Sequence, residues 1–258
     1  MATEWIYGRQ VARLALAAGA RRRAVRLAAT APALRALATD LPAGLETITV
    51  EAATLDRLTG SRDHQGVALE VPPFPYVEVE TLLAGDLLVV LDEVSDPHNL
   101  GAVARSALAV GSAGLVVPRY RAAHVTPAAV KASAGALEHL AVAQVPNVAR
   151  FLQQAKRVGL WVYGASAECA TRYTDLDLRD RVVIVLGAEG HGLRPLVARA
   201  CDALAAVPMR PPVRSLNVSV AAALFLFEAV RQRGADETGD PGSARAGRRA
   251  DRGGRAGS

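Results

Sequence analysis

Aromatic residues make up only 4% of this 258-residue chain and there are two cysteines, so neither aromatic packing nor a disulfide framework organises it. Cys169 and Cys201 lie far apart and lack the spacing of a metal site, which points to reduced thiols in a cytoplasmic protein. No apolar run is long enough to span a bilayer, and no membrane is expected among the partners. The early stretch LALAAGA is short and precedes RRR, the wrong charge order for a secretory signal, so it reads as part of a helix. Hydrophobic content of 51% excludes wholesale disorder and leaves the core to Val, Leu and Ala.

Acidic residues are missing from residues 6–38, where seven arginines stand: Arg9, Arg13, Arg21, Arg22, Arg23, Arg26 and Arg35. A basic segment of that size suggests a polyanionic partner, with Arg9, Arg21, Arg22 and Arg23 as candidate contacts to nucleic-acid phosphates. The competing reading is a solvated helix face in a chain whose basic residues are nearly all Arg.

Hydrophobic periodicity divides the chain. Residues 1–75 read as a small α/β unit with helices in GRQVARLALAAG, APALRALA and AATLDRLTG and strands in AVRLAA, ETITV and GVALEV. The proline-rich PPFPYVEVE opens a stiff, extended linker placed at residues 76–84. Residues 85–233 form a larger α/β unit. Its uninterrupted apolar runs LLVVLDEV, GLVVP, LWVYGAS, RVVIVLG and ALAAVPM look like parallel strands buried on both faces and covered by helices. Residues 234–258 lack apolar periodicity and are expected to be disordered.

Function in parallel sheets collects at the carboxyl ends of the strands, and three polar stretches fall there. In LDEVSDPHNLGAVARSALAVG, Pro97 ends the strand, Asn99 is a candidate helix cap and Gly111 a candidate stop, with Leu100, Val103, Ala104, Ala107 and Leu108 as the core stripe. Arg105 lies off that stripe, one turn after Gly101, whose missing side chain would leave room for a substrate; the plain alternative is a surface arginine. In VLGAEGHGL the glycines let the backbone turn sharply and approach a ligand. That ligand is not expected to be a phosphate, because the loop lacks the spacing of either nucleotide motif and places Glu189 among the amides. In VPMRPPVRSLNVSVAAALFLFEAVRQRG, three prolines hold the chain irregular before Ser215 or Asn217 caps a helix ended by Gly234. That helix is apolar nearly all round, so it is expected to be deeply buried or to lie at a subunit interface.

The stretches DPHNLGAVARSA, VLGAEGHGL and SLNVSVAAALFLFEAVRQR, in this order and spacing, resemble the three motifs of the SpoU family of RNA ribose 2'-O-methyltransferases. The resemblance is strongest to its ribosomal-RNA branch. It implies a trefoil-knotted parallel-sheet domain of the SPOUT class preceded by an L30e-like substrate-binding domain, and a homodimer in which the final helix packs against its partner. It also implies S-adenosyl-L-methionine as cofactor, held largely through backbone groups by Gly187, Val207 and Leu216 with Leu186 and Met209 as apolar neighbours. Arg105 would grip RNA phosphate and ease formation of the alkoxide, while Asn99, Glu189, Ser215 and Asn217 orient it and the ribose.

The activity implied is methylation of a ribose 2'-hydroxyl in ribosomal RNA. A transfer-RNA methyltransferase and a knotted RNA-binding protein without activity are the alternatives. The polar set Asn99, Arg105, Glu189 and Asn217 argues against the latter, since a binding module does not need all four.

Overall fold

The computed structural model describes residues 2–17 and 19–234; the tail expected at residues 234–258 lies outside them apart from Gly234. The first unit runs β1 (Glu4–Tyr7), α1 (Arg9–Leu16), β2 (Arg26–Ala29), α2 (Ala31–Leu37), β3 (Glu46–Thr49), α3 (Ala52–Thr59) and β4 (Val67–Val71). Its sheet has the order β1-β4-β2-β3, with β4 antiparallel to both neighbours and β2 parallel to β3. The six elements expected from periodicity are present. The additional strand β1 is only four residues long, EWIY, too short to show a repeat.

The second unit runs α4 (Val79–Leu82), β5 (Leu87–Asp92), α5 (Pro97–Ala109), β6 (Gly114–Pro118), α6 (Pro127–Ala132), β7 (Val142–Val145), α7 (Val148–Arg157), β8 (Trp161–Ala165), β9 (Val182–Gly187), α8 (Pro195–Ala200), β10 (Ala203–Ala205) and α9 (Val218–Arg233). The six strands are parallel, in the order β10-β8-β9-β5-β6-β7. Alternate residues of each central strand serve opposite faces, as the pleat requires. Leu87, Val89 and Leu91 of β5 with Val182, Ile184 and Leu186 of β9 pack under α5 and α9. Leu88, Val90, Val183 and Val185 pack under α7 and α8. Burial on both faces is why these strands read as continuous apolar runs. Among the described residues, no helix is long and apolar enough to cross a membrane.

Two local expectations are corrected. Asn99 does not cap α5: the Asp96 carboxylate accepts from the His98 amide at 2.8 Å, Pro97 takes the first helical position, and Asn99 is buried in the first turn. Nor does Gly101 leave room for a substrate. A Cβ there would stand 2.5 Å from the Ala129 carbonyl oxygen and 2.6 Å from the Ala132 Cβ, so its bareness admits α6 against α5.

The segment expected to be an extended linker is partly helical, as α4, and is stitched to the second unit. Phe74 is buried, Val77 bridges to Ala143 of β7, and the Tyr76 hydroxyl accepts from the Val125 amide at 2.9 Å. Between the units the Arg22 guanidinium, 1% exposed, meets the Glu138 carboxylate, 0% exposed, in a bidentate pair, with the Nε bond at 3.0 Å. Its Nη1 donates to Glu4 and to the Pro72 carbonyl at 3.2 Å, and Phe74 lies 5.5 Å from its Cζ. Burial alone would lower the Arg22 pKa, but the hydrogen bonds and charges of Glu138 and Glu4 outweigh it and raise the value.

Arg22 is therefore withdrawn from the candidate RNA contacts: its guanidinium has no surface to offer a phosphate. Arg21 also turns to the seam, its amide donating to the Glu138 carbonyl at 2.6 Å and its Nη2 to the Pro75 carbonyl at 3.4 Å. Arg9 and Arg23 stay exposed, Arg9 with its Nε donating to the Gln65 carbonyl at 3.2 Å.

Candidate active site

β5 and β9 are neighbours at the centre of the sheet, and their last residues, Asp92 and Gly187, are in register. Each strand therefore delivers its following loop to the same place, the carboxyl edge where parallel sheets keep their ligands. The loop after β9 folds back on itself: the Gly192 amide donates to the Ala188 carbonyl at 2.9 Å, and Gly190 and Gly192 have positive φ. A Cβ on Gly187 would come within 2.1 Å of the Gly192 backbone, so glycine is required there by the loop's own return. The fold-back holds Glu189 out over the carboxyl end of the sheet.

Three of the candidate residues meet there. The Asn217 Nδ2 donates to the Glu189 Oε1 at 2.6 Å and to the Asn99 Oδ1 at 2.9 Å, and the Asn99 Nδ2 donates to the same Glu189 oxygen at 3.1 Å. Asn217 is aimed by its second task as cap of α9, where its Oδ1 accepts from the Ser219 amide at 2.9 Å and from the Ser219 hydroxyl at 2.5 Å. With the oxygen so engaged, the amide nitrogen must face Asn99 and Glu189. The other Glu189 oxygen and the second Asn99 N–H have no partner among the described residues, which leaves one acceptor and one donor of the triangle uncommitted.

Arg105 and Ser215 are not drawn into this triangle. Both are exposed, and neither side chain makes a hydrogen bond or ion pair among the described residues. Leu186 is buried in β9, whereas Gly187, Val207, Met209 and Leu216 are half-buried. A cleft of about 500 Å³ opens beside the triangle, lined by residues that include Glu93, Ser95, Arg121, Glu189 and Arg194. None of the five candidate cofactor residues lines it.

Sequence reasoning missed one ion pair that builds this edge. The Asp92 carboxylate, buried at the end of β5, accepts from the Arg194 amide at 3.0 Å, its Nε at 2.9 Å and its Nη2 at 2.6 Å. The hydrogen bonds to Asp92 raise the Arg194 pKa against a smaller opposing effect of burial. This clamp fixes the far end of the glycine loop. Its signal was an acid closing an otherwise apolar strand, LLVVLD.

Residues 86–227 match the model of the SpoU rRNA Methylase family, and residues 5–77 match that of the RNA 2'-O ribose methyltransferase substrate-binding domain. A protein of Synechocystis described as an uncharacterized tRNA/rRNA methyltransferase is 41% identical over 194 residues, 72% of this chain and 50% of the relative. The chain thus spans about half the length of that curated relative. Among solved structures, the SpoU methyltransferase AviRb from Streptomyces viridochromogenes, in complex with AdoMet, superposes with a TM-score of 0.74 at 26% identity, over 89% of each chain. A TrmH/SpoU tRNA-modifying enzyme of A. aeolicus superposes with a TM-score of 0.53 at 27% identity, over 59% of this chain and 80% of its own.

Proposed function

The chain belongs to the SpoU rRNA Methylase family, and from that premise we propose that it methylates a ribose 2'-hydroxyl in ribosomal RNA with S-adenosyl-L-methionine, as a cytoplasmic homodimer. The observation that carries the reading is the bonded triangle of Asn99, Glu189 and Asn217, assembled from three distant segments at the adjoining ends of β5 and β9.

The residues assigned to the cofactor suit it. Val207, Met209 and Leu216 are half-buried and offer apolar surface for a nucleoside, buried Leu186 backs the strand end from which Gly187 starts the loop, and a sulfonium cation tolerates Glu189 where a phosphate would not. When bound, the cofactor supplies an electrophilic methyl group. The protein's own residues then need to hold a hydroxyl in line and ease loss of its proton. The unpartnered Glu189 oxygen and Asn99 N–H can take and give hydrogen bonds to a ribose. Arg105, exposed and without a competing carboxylate, is available to grip phosphate and stabilise developing negative charge through its guanidinium N–H donors. Ser215 stands at the mouth of α9 and would join once RNA is in place.

The substrate-binding unit supports ribosomal RNA as target, together with exposed Arg9 and Arg23 at its surface. The test is transfer of labelled methyl to transcribed ribosomal RNA and transcribed transfer RNA in parallel. Label in ribosomal RNA alone is expected; label in transfer RNA alone overturns the choice of substrate.

A homodimer through α9 is supported by an apolar stripe left open on that helix: Val220 and Phe227, seven residues apart, are 47% and 52% exposed. Phe225 and Leu226 face inward instead, and charges there would report on folding. Phe227→Glu is expected to shift sedimentation to monomer while the helix content is kept; an unchanged dimer would place the interface elsewhere.

A further inference from the structure

The loop after β6 carries Tyr120 with 68% of its surface exposed, between exposed Arg119 and Arg121. None of these three side chains makes a hydrogen bond or ion pair among the described residues. The loop is nevertheless fixed at both ends. The Arg119 amide donates to the Val145 carbonyl at the end of β7 at 2.8 Å, and the Ala123 amide donates to the Val94 carbonyl after β5 at 2.8 Å.

Arg121 has φ 58° and Glu93 has φ 59°, left-handed conformations that a side chain with a Cβ adopts only at a cost. Both residues line the cleft that also holds Glu189. Among the described residues, Gln65, Glu93, Arg121 and Ala134 are the non-glycine positions with positive φ, so half of this strain borders one cleft. Strain held by the surrounding fold, an aromatic kept in water and two unpaired cations together mark a ligand surface.

The ligand that matches is a polyanion with accessible flat faces. Duplex RNA offers phosphates but keeps its bases stacked inside, whereas an unpaired strand offers both phosphates and base faces. We propose that Tyr120 is a stacking platform for an unpaired base of the RNA substrate, with Arg119 and Arg121 holding phosphates on either side, so that the site selects a nucleotide in a loop or single-stranded segment. This rests on the reading of the chain as an RNA methyltransferase and adds what that reading leaves open, the secondary structure of the target.

Three variants test it: Tyr120→Ala, Tyr120→Phe, and Tyr120→Trp made together with Trp161→Phe to lower background emission. For transcribed ribosomal RNA, the Ala variant is expected to raise KM about ten- to a hundredfold, with kcat at saturation and S-adenosylmethionine affinity near wild type. Phe and Trp are expected to restore KM, since stacking needs the ring and not the hydroxyl. Fluorescence of the Trp variant is expected to be quenched by oligoadenylate and not by duplex RNA at equal phosphate concentration. A wild-type KM in the Ala variant, failure of Phe to rescue, or equal quenching by duplex overturns the stacking role while leaving the methyltransferase reading intact. Absence of transfer and of RNA binding by the wild-type protein overturns both.

Discussion

Arg105→Ala is expected to lower single-turnover methyl transfer by about two to four orders of magnitude, the range typical of losing one group that stabilises charge in a transition state. S-adenosylmethionine affinity in calorimetry is expected to stay near wild type, because Arg105 is an exposed residue of α5 and is not among the residues assigned to the cofactor. The side chain has no partner to lose among the described residues, so the substitution leaves no orphaned carboxylate and folding is expected to be unaffected. Arg105→Lys is expected to recover little, since an ammonium lacks the planar fork that can hold phosphate and ribose oxygens together. Near-normal transfer by the Ala variant would return Arg105 to the status of a surface arginine.

Arg22→Met is expected to destabilise the protein by about 3–5 kcal/mol, the cost of leaving a buried charge without its partner. Glu138 is wholly inaccessible, and four of the Arg22 N–H donors are committed to Glu138, Glu4 and the Pro72 carbonyl. Arg22→Met combined with Glu138→Leu is expected to recover much of that loss, because the pair is then replaced by apolar contact rather than broken. Chemical denaturation of the single and double variants checks this. A single variant as stable as wild type would mean that water reaches the seam and that the two units are not locked. Removing residues 1–75 is a poor probe of RNA binding for the same reason, as it strands Glu138.

The parallel sheet was legible because its central strands are buried on both faces and therefore carry unbroken Val and Leu. The strands that escaped notice, β1 and β7, are four residues each at sheet edges, and Gln144 interrupts the second. Charge was misread for a different reason. Residues 6–38 hold no acid, yet Arg22 finds Glu138 116 positions away, Arg13 pairs with Asp40 at 3.1 Å and Arg26 with Glu70 at 2.8 Å. A charge count along the chain does not count neighbours in space. At Gly101 the helical spacing correctly set Arg105 one turn away, but only the tertiary fold shows that α6 fills the bare face.

The triangle was visible residue by residue through motif resemblance, and Asn217 also through its place as a helix cap. Asp92 showed locally as an acid closing an apolar strand, but its partner Arg194 and the strained pair Glu93 and Arg121 did not, because each depends on which loops a parallel sheet brings together. Polar side chains at the ends of apolar strands were the usable signal. Their partners were not.

The central claim is that this chain places a methyl group on a ribose oxygen rather than on a base. The most direct measurement uses transcribed ribosomal RNA labelled by the protein with methyl-labelled S-adenosylmethionine and then digested with alkali. A 2'-O-methyl group removes the neighbouring hydroxyl that alkaline cleavage needs, so the label is expected entirely in alkali-resistant dinucleotides, and absent when Glu189→Gln and Asn217→Ala are combined. Label recovered in mononucleotides would place the methyl on a base and contradict the account, as would undiminished transfer by the double variant.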